Sequence, residues 1–216
     1  MDFVGREREI ARIAATLAAG TNVVLSGKFG IGRTSLVRQV AASSNGRWHF
    51  LFGDCSRPPA AVCRQLLSQL SRRRRSGQRI EELAFREARR RLLNTACDAA
   101  SPLVFVLDNV ARMTPGRWEF VRFLSGAFRL RVVVIVESFL SESDVTRLRA
   151  CLYPSIRLQL GRLPAPRSQE FFERVSGRIG LGWSRDQIRG LAVRGGGYPL
   201  AMAEAAAEAV TRRRGR

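Results

Sequence analysis

Apolar residues recur every three to four positions from about Arg6 to Ala19. Ile10, Ile13, Ala14 and Leu17 share one face, which predicts a helix ended by Gly20. Asn22–Ser26 (NVVLS) is instead a short apolar run, the pattern of a buried strand. The two patterns then alternate. Further helices are expected near Arg33–Ala42, Ala60–Arg72, Ile80–Ala99, Arg117–Phe128 and Ser143–Cys151. Further strands are expected at Trp48–Phe52, Leu103–Leu107, Val132–Val136 and Ile156–Leu160. Strands alternating with helices predict an α/β fold with a parallel five-stranded sheet, and continuously apolar strands predict that helices cover both faces. After Pro164–Pro166 only helical patterns remain, near Ser168–Ile179, Arg185–Val193 and Tyr198–Arg213. The expected organisation is an α/β domain over residues 1–164 and a small helical lid over 165–216 with a basic tail. The lid is too short for an independent core and should pack on the sheet domain.

Composition adds one strong constraint. Hydrophobic residues are 45% and charged residues 25% of the 216, an ordinary globular balance. Charge is not ordinary: 37 Lys+Arg against 18 Asp+Glu give +19, and Lys28 is the single lysine. Such a surplus calls for an anionic partner, nucleic acid first and an anionic membrane surface second. The longest apolar run, Val132–Val136, is far below a membrane span, and MDFVGREREI carries no apolar signal region. Cys55, Cys63, Cys97 and Cys151 are scattered and accompany one histidine, His49. They make a poor zinc set and are expected as reduced, buried packing thiols in a cytoplasmic protein.

The sharpest local feature is Gly27-Lys28-Phe29-Gly30-Ile31-Gly32-Arg33-Thr34-Ser35, between a strand and an amphipathic helix. It fits the phosphate-loop pattern GxxxxGKT, with arginine in the lysine position. Gly27, Gly30 and Gly32 let the backbone wrap tightly with its amides inward, and the helix beginning at Arg33 adds its dipole. Thr34 would place its hydroxyl on Mg²⁺ and Ser35 would lie against the α-phosphate of ATP. Arg33 is bulkier than lysine, planar and permanently charged. It can neutralise phosphate only if its fork finds room, so weakened nucleotide binding is expected. Lys28, on the outer arm of the loop, is expected to face solvent.

Leu103–Asp108 ends an apolar strand on an acid, in the manner of a Walker B strand. Asp108 would hold Mg²⁺ through water and complete the metal site with Thr34. The next residue, where many such ATPases carry a glutamate base, is Asn109. Asparagine orients water but is not a useful base. Slow or absent hydrolysis is expected, with Glu137 the nearest acidic substitute. Glu137 or Ser138 holds the strand-end position where a polar residue senses the γ-phosphate.

With these motifs the chain resembles the AAA+/STAND group of P-loop ATPases. Phe3-Val4-Gly5-Arg6-Glu7 is similar to the FVGRE box, and Arg194-Gly195-Gly196-Gly197-Tyr198-Pro199-Leu200-Ala201 to the GG-x-PLA motif of the helical lid. Leu158–Phe172 resembles the stretch leading into that lid. The resemblance implies an AAA+-like P-loop NTPase sheet in strand order 5-1-4-3-2, with nucleotide between sheet domain and lid. It implies that Val4 and Gly5, with Gly30, Ile31 and the rest of the loop, contact nucleotide and that Pro199 closes over it. It also implies ATP-promoted assembly into a homo-oligomer, with a trans arginine for which Arg147 and Arg149 are candidates. STAND signalling proteins usually continue into further domains. The short form here is similar to ATPase helpers of DNA transposition and to truncated initiator-type ATPases.

Arginines cluster at Arg72, Arg73, Arg74 and Arg75, at Arg86, Arg89, Arg90 and Arg91, and at Arg212–Arg214 with Arg216. The first two clusters lie between the second and third strands, a region that often faces the central pore in AAA+ assemblies. They suit backbone contacts to DNA without base specificity. Two functions follow. One is an ATP-binding regulator that assembles on DNA and recruits a recombinase- or transposase-type partner. The other is a non-hydrolysing nucleotide-binding scaffold or signalling module acting through protein partners. RNA in place of DNA also fits the charge.

Overall fold

The computed structural model describes residues 3–71, 80–126 and 130–214, the side chains of 212–214 excepted. The elements run α1 (Glu7–Ala18), β1 (Asn22–Gly27), α2 (Arg33–Ala42), β2 (His49–Asp54), α3 (Pro59–Ser71), α4 (Phe85–Cys97), β3 (Leu103–Val110), α5 (Pro115–Ser125), β4 (Leu130–Val136), α6 (Glu142–Cys151), β5 (Ser155–Leu160), α7 (Ala165–Ile179), α8 (Arg185–Gly195) and α9 (Pro199–Arg214). Alternation of strand and helix forces crossover connections, and all four strand pairs are parallel. The sheet order is β2-β3-β4-β1-β5, which is the expected 5-1-4-3-2 read from the other edge.

Because a strand's side chains alternate, each strand feeds two cores. Phe105, Leu107, Val132 and Val134 point to one face, covered by Val62, Leu66 and Leu70 of α3, Leu92 of α4 and Leu124 of α5. Val23, Leu25, Val104, Val106 and Val133 point to the other, covered by Ile13 and Leu17 of α1 and Leu36 and Val37 of α2. A third cluster joins α7, α8 and α9 through Phe172, Val175, Leu191 and Met202, and takes in Val4 and Leu163. Asn22 is buried at the start of β1, where its amide donates to Leu152 O at 2.7 Å and accepts from Val132 N at 2.8 Å. It fixes the β1–β4 edge as a structural group.

Boundary differences have local causes. Ile80–Glu82 is a 3-10 turn rather than the start of α4, because Ala84 is extended at φ −59°, ψ 149° and restarts the chain. α5 stops at Ser125, capped by Gly126; the expected end at Phe128 lies outside the described residues. Strand β3 continues past Leu107 through a register shift to Val110. In α8, Ser184 and Gln187 form a reciprocal capping box. The expectation of uniformly buried cysteines is corrected. Cys55 and Cys63 are buried, Cys151 is half-buried, and Cys97 is exposed on the solvent face at the end of α4; all four are free thiols. Among the described residues no His, Cys, Asp and Glu group could hold a metal ion by itself, and no helix is long and apolar enough to cross a membrane.

Candidate functional site

Parallel sheets collect their strand ends at one edge, and ligands bind there. Strand β1, flanked by β4 and β5, delivers its glycine-rich turn to that edge. Ile31 is buried and its amide bonds to Lys28 O at 3.2 Å, which anchors the turn from beneath. Gly32 has φ 89°, a conformation that favours glycine, and it starts α2 without any side-chain cap. First-turn amides of an uncapped helix face the adjoining cleft with their positive dipole end. Lys28 is exposed, as expected. Beside the turn, Thr34 Oγ1 donates to Asp108 Oδ2 at 2.8 Å, so the two expected metal-holding residues meet across β1 and β3.

Arg33 does not extend into the cleft as a free cation. It is buried, at 7% exposure. Its Nη1 donates to the carbonyl of Val136, and its Nη2 pairs with Glu137 Oε2 at 2.6 Å. Arg33 and Glu137, expected separately at a phosphate and near a water, are thus partners of each other. Asn109 has φ 58°, a strained left-handed conformation for a residue with a side chain. Its Nδ2 donates to Asp54 Oδ1 at 3.0 Å, so the amide is turned toward the end of β2. That hydrogen bond holds the Asp54 carboxyl below its ordinary range.

The cleft above this edge has a volume of about 520 Å³. Gly30, Ile31, Gly32, Arg33, Thr34 and Ser35 line it from the turn, Phe3, Val4 and Leu163 from the segments before α1 and after β5, and Phe171, Pro199, Leu200 and Met202 from the helical unit. The helical unit touches the turn directly, with Leu200 N donating to Gly30 O at 3.1 Å and Pro199 lying over Gly32. Gly197 makes that seat possible. It has φ 74°, its carbonyl accepts from Leu163 N at 2.8 Å, and a Cβ there would sit 2.3 Å from Leu163 O. Gly5 lies against Leu163 and Arg167 and is not among the residues that line the cleft. Leu200, Arg38 and Phe171 also line the cleft although sequence reasoning did not single them out as site residues. Arg38 carried a usable signal, since it stands one helical turn after Thr34 and so shares its face.

The expected nucleic-acid arginines divide. Arg72, Arg73, Arg74 and Arg75 lie outside the described residues. Arg86 is exposed. Arg89 is half-buried, paired to Glu119 at 2.5 Å and stacked 4.2 Å from the Phe123 ring centre. Arg90 and Arg91 both pair with Glu87, and their hydrogen bonds hold the Glu87 carboxyl down at about 2. Both trans candidates, Arg147 and Arg149, are exposed, and Arg147 also stacks on Trp118 at 4.5 Å.

Strand order, glycine turn and the Thr34–Asp108 contact are now joined by a sequence match: residues 2–136 match the AAA ATPase domain family. The chain belongs to that family. Membership implies nucleotide binding with a divalent metal, and the fold is that of an AAA+ P-loop ATPase. No curated protein matches the sequence. Among solved structures, the chain is similar to the ORC1 protein of Aeropyrum pernix in complex with DNA, at TM-score 0.72 and 19% identity over 99% of this chain and 62% of that one. It is similar to the RuvB Holliday junction branch migration motor of Thermotoga maritima, at TM-score 0.57 and 16% identity over 94% of this chain and 61% of that one. It is also similar to a STAND protein with a tetratricopeptide repeat sensor from Pyrococcus horikoshii, at TM-score 0.57 and 16% identity over 93% of this chain and 29% of that one. At such identities the likeness speaks for the fold alone.

Proposed function

We propose that this AAA ATPase binds an adenine nucleotide with Mg²⁺ in the 520 Å³ cleft and uses the bound state to regulate assembly on nucleic acid, with slow or absent hydrolysis. The observation that carries the reading is the Thr34–Asp108 contact at 2.8 Å directly beneath the uncapped start of α2. Amides of the turn and of Thr34 and Ser35 would take the phosphates. Thr34 and Asp108 would hold Mg²⁺, which supplies charge neutralisation to the phosphate oxygens. Phe3, Val4 and Gly5 would approach the base, and Pro199 would close over the nucleotide. Residues 165–216 act as its lid. Low hydrolysis follows from Asn109, which is an amide turned toward Asp54, and from Glu137, which is already held by Arg33.

Nucleic acid is favoured as the partner by the +19 charge, and DNA by the ORC1 complex among the structural relatives. Arg86, with Arg72–Arg75, is the leading contact set. Arg89 has a structural post between Glu119 and Phe123, while Arg90 and Arg91 can exchange the half-buried Glu87 for phosphate, because ion pairs at the surface hold weakly. Phe29 and Phe139, 74% and 73% exposed in the loops after the adjacent strands β1 and β4, suit contact with another copy in a nucleotide-dependent oligomer. A recombinase- or transposase-type protein is the partner class that this ATPase would recruit, in the cytoplasm. The scaffold reading draws support from the engaged states of Arg33 and Asn109.

Calorimetric titration with ADP and ATP in Mg²⁺ tests the nucleotide half; no heat of binding at millimolar concentration for either would end it. Fluorescence anisotropy on duplex DNA tests the other half. If each protomer neutralises roughly 4–6 phosphates, the log–log salt slope should be about −4 to −5. A protein that binds nucleotide but shows no DNA binding at low salt belongs to the scaffold reading.

A further inference from the structure

Three cations line the cleft among its described residues: Arg6, Arg33 and Arg38. Arg6 is committed to Glu9 at 2.8 Å and to the carbonyl of Gly161. Arg38 lies a turn further along α2, stacked 4.9 Å from the Phe52 ring centre. Arg33 alone stands at the terminal-phosphate end. Its side chain is 8% exposed and that of Glu137 14%, so the pair is largely withdrawn from water. Removing one partner of such a pair strands the other charge in a poorly solvated place.

A ligand with two phosphates depends less on this pair than one with three, because the basic position of the loop serves the β- and γ-phosphates. The turn amides, with Thr34 and Ser35, suffice for two groups. A third phosphate must lie beyond the turn, toward the end of β4, where the Glu137 carboxylate stands beside Arg33 and lines the cleft. There the adjacent guanidinium has already spent one arm on Glu137 and another on Val136 O. The added negative charge then meets the Glu137 carboxylate, and the guanidinium beside it, Arg33, is already engaged by that acid.

We propose that the Arg33–Glu137 pair makes the cleft selective for a nucleoside diphosphate over the triphosphate. The inference rests on the cleft being the nucleotide site. Glu137 is a specificity-determining residue in this scheme, because it sets how much of the Arg33 charge a phosphate can use. Glutamine at 137 keeps the shape and a hydrogen-bond acceptor but removes the negative charge.

Titration of AMP, ADP and ATP into the wild-type protein, with and without Mg²⁺, is the first arm. ADP is expected to bind tighter than AMP and at least about tenfold tighter than ATP, a difference of about 1.4 kcal/mol. Glu137→Gln, checked for folding by circular dichroism, is the second arm. ATP affinity should rise by about tenfold while ADP affinity changes little, which closes the gap between them. ATP binding as tightly as ADP to the wild type overturns the proposal and leaves the nucleotide site standing. So does an unchanged ratio in folded Glu137→Gln. No binding of any of the three overturns the nucleotide site itself. If the variant does not fold, the wild-type series decides.

Discussion

Arg33 is the residue on which the chemistry of this chain turns. Its position in GxxxxGRT is legible in the sequence, and so is the strand-end place of Glu137. Their partnership is not, because 103 residues separate Arg33 from the Val136 carbonyl that fixes the fork, and strand adjacency β1–β4 brings them together. Asn109 shows the same limit. Its identity predicts a poor base, while its left-handed φ and its bond to Asp54 appear only once β2 lies beside β3. The cysteines divide by where the fold packs them. Cys63 packs inward from α3 and Cys55 sits beneath Asp108 O, and burial pushes both thiols up to about 12. Cys97 is exposed. Thiol titration of the native protein should therefore show Cys97 reacting fast, Cys55 and Cys63 only after unfolding, since the thiolate is the reactive form. Reaction of Cys55 or Cys63 at the rate of Cys97 would contradict the packing of α3 on the sheet.

At the scale of elements, the pattern of the sequence carried far. All five strands and the helices that cover them lie where apolar runs and three-to-four-residue periodicity put them. Continuous apolar strands are legible because both faces are buried, and each face has its own core. Ends were less legible where backbone conformation decides, as at the 3-10 turn of Ile80–Glu82 and the shift before Val110. The contact between α9 and the glycine turn was implied only through the family resemblance. Physically it depends on Gly197, whose carbonyl and positive φ seat the Tyr198–Leu200 segment against Leu163 and Gly30. Gly197→Ala should cost about 1–3 kcal/mol for the strained conformation, before any shift forced by Leu163 O. For a chain of this size each kcal/mol lowers Tm by roughly 2–4 °C. Nucleotide affinity should fall with it, because the wall formed by Pro199 and Leu200 moves. A variant with unchanged Tm and unchanged affinity would mean that this seat is unimportant.

For the molecule as a whole, the +19 charge was the first signal and the structure sharpens it. Part of the arginine surplus is internal architecture. Arg33 joins α2 to β4, Arg89 fills the space between Glu119 and Phe123, and Arg167 ties α7 to Glu7 of α1. Other arginines, Arg86 and Arg149 among them, are exposed to solvent. Sequence composition could not separate these uses, because an arginine reads the same whether its guanidinium faces a carboxylate, a ring or water. Three bodies of structure meet at one cleft: the sheet edge, the Phe3–Gly5 segment and the helical unit that presents Pro199 and Leu200. Hydrogen exchange with and without millimolar ADP and Mg²⁺ tests most directly that this cleft is the nucleotide site. Added nucleotide should slow exchange at the amides of residues 30–35 and at the start of α9, and leave the far ends of α3 and α4 unchanged. Exchange that is unaltered at residues 30–35, or protection confined to a distant surface, would contradict the account.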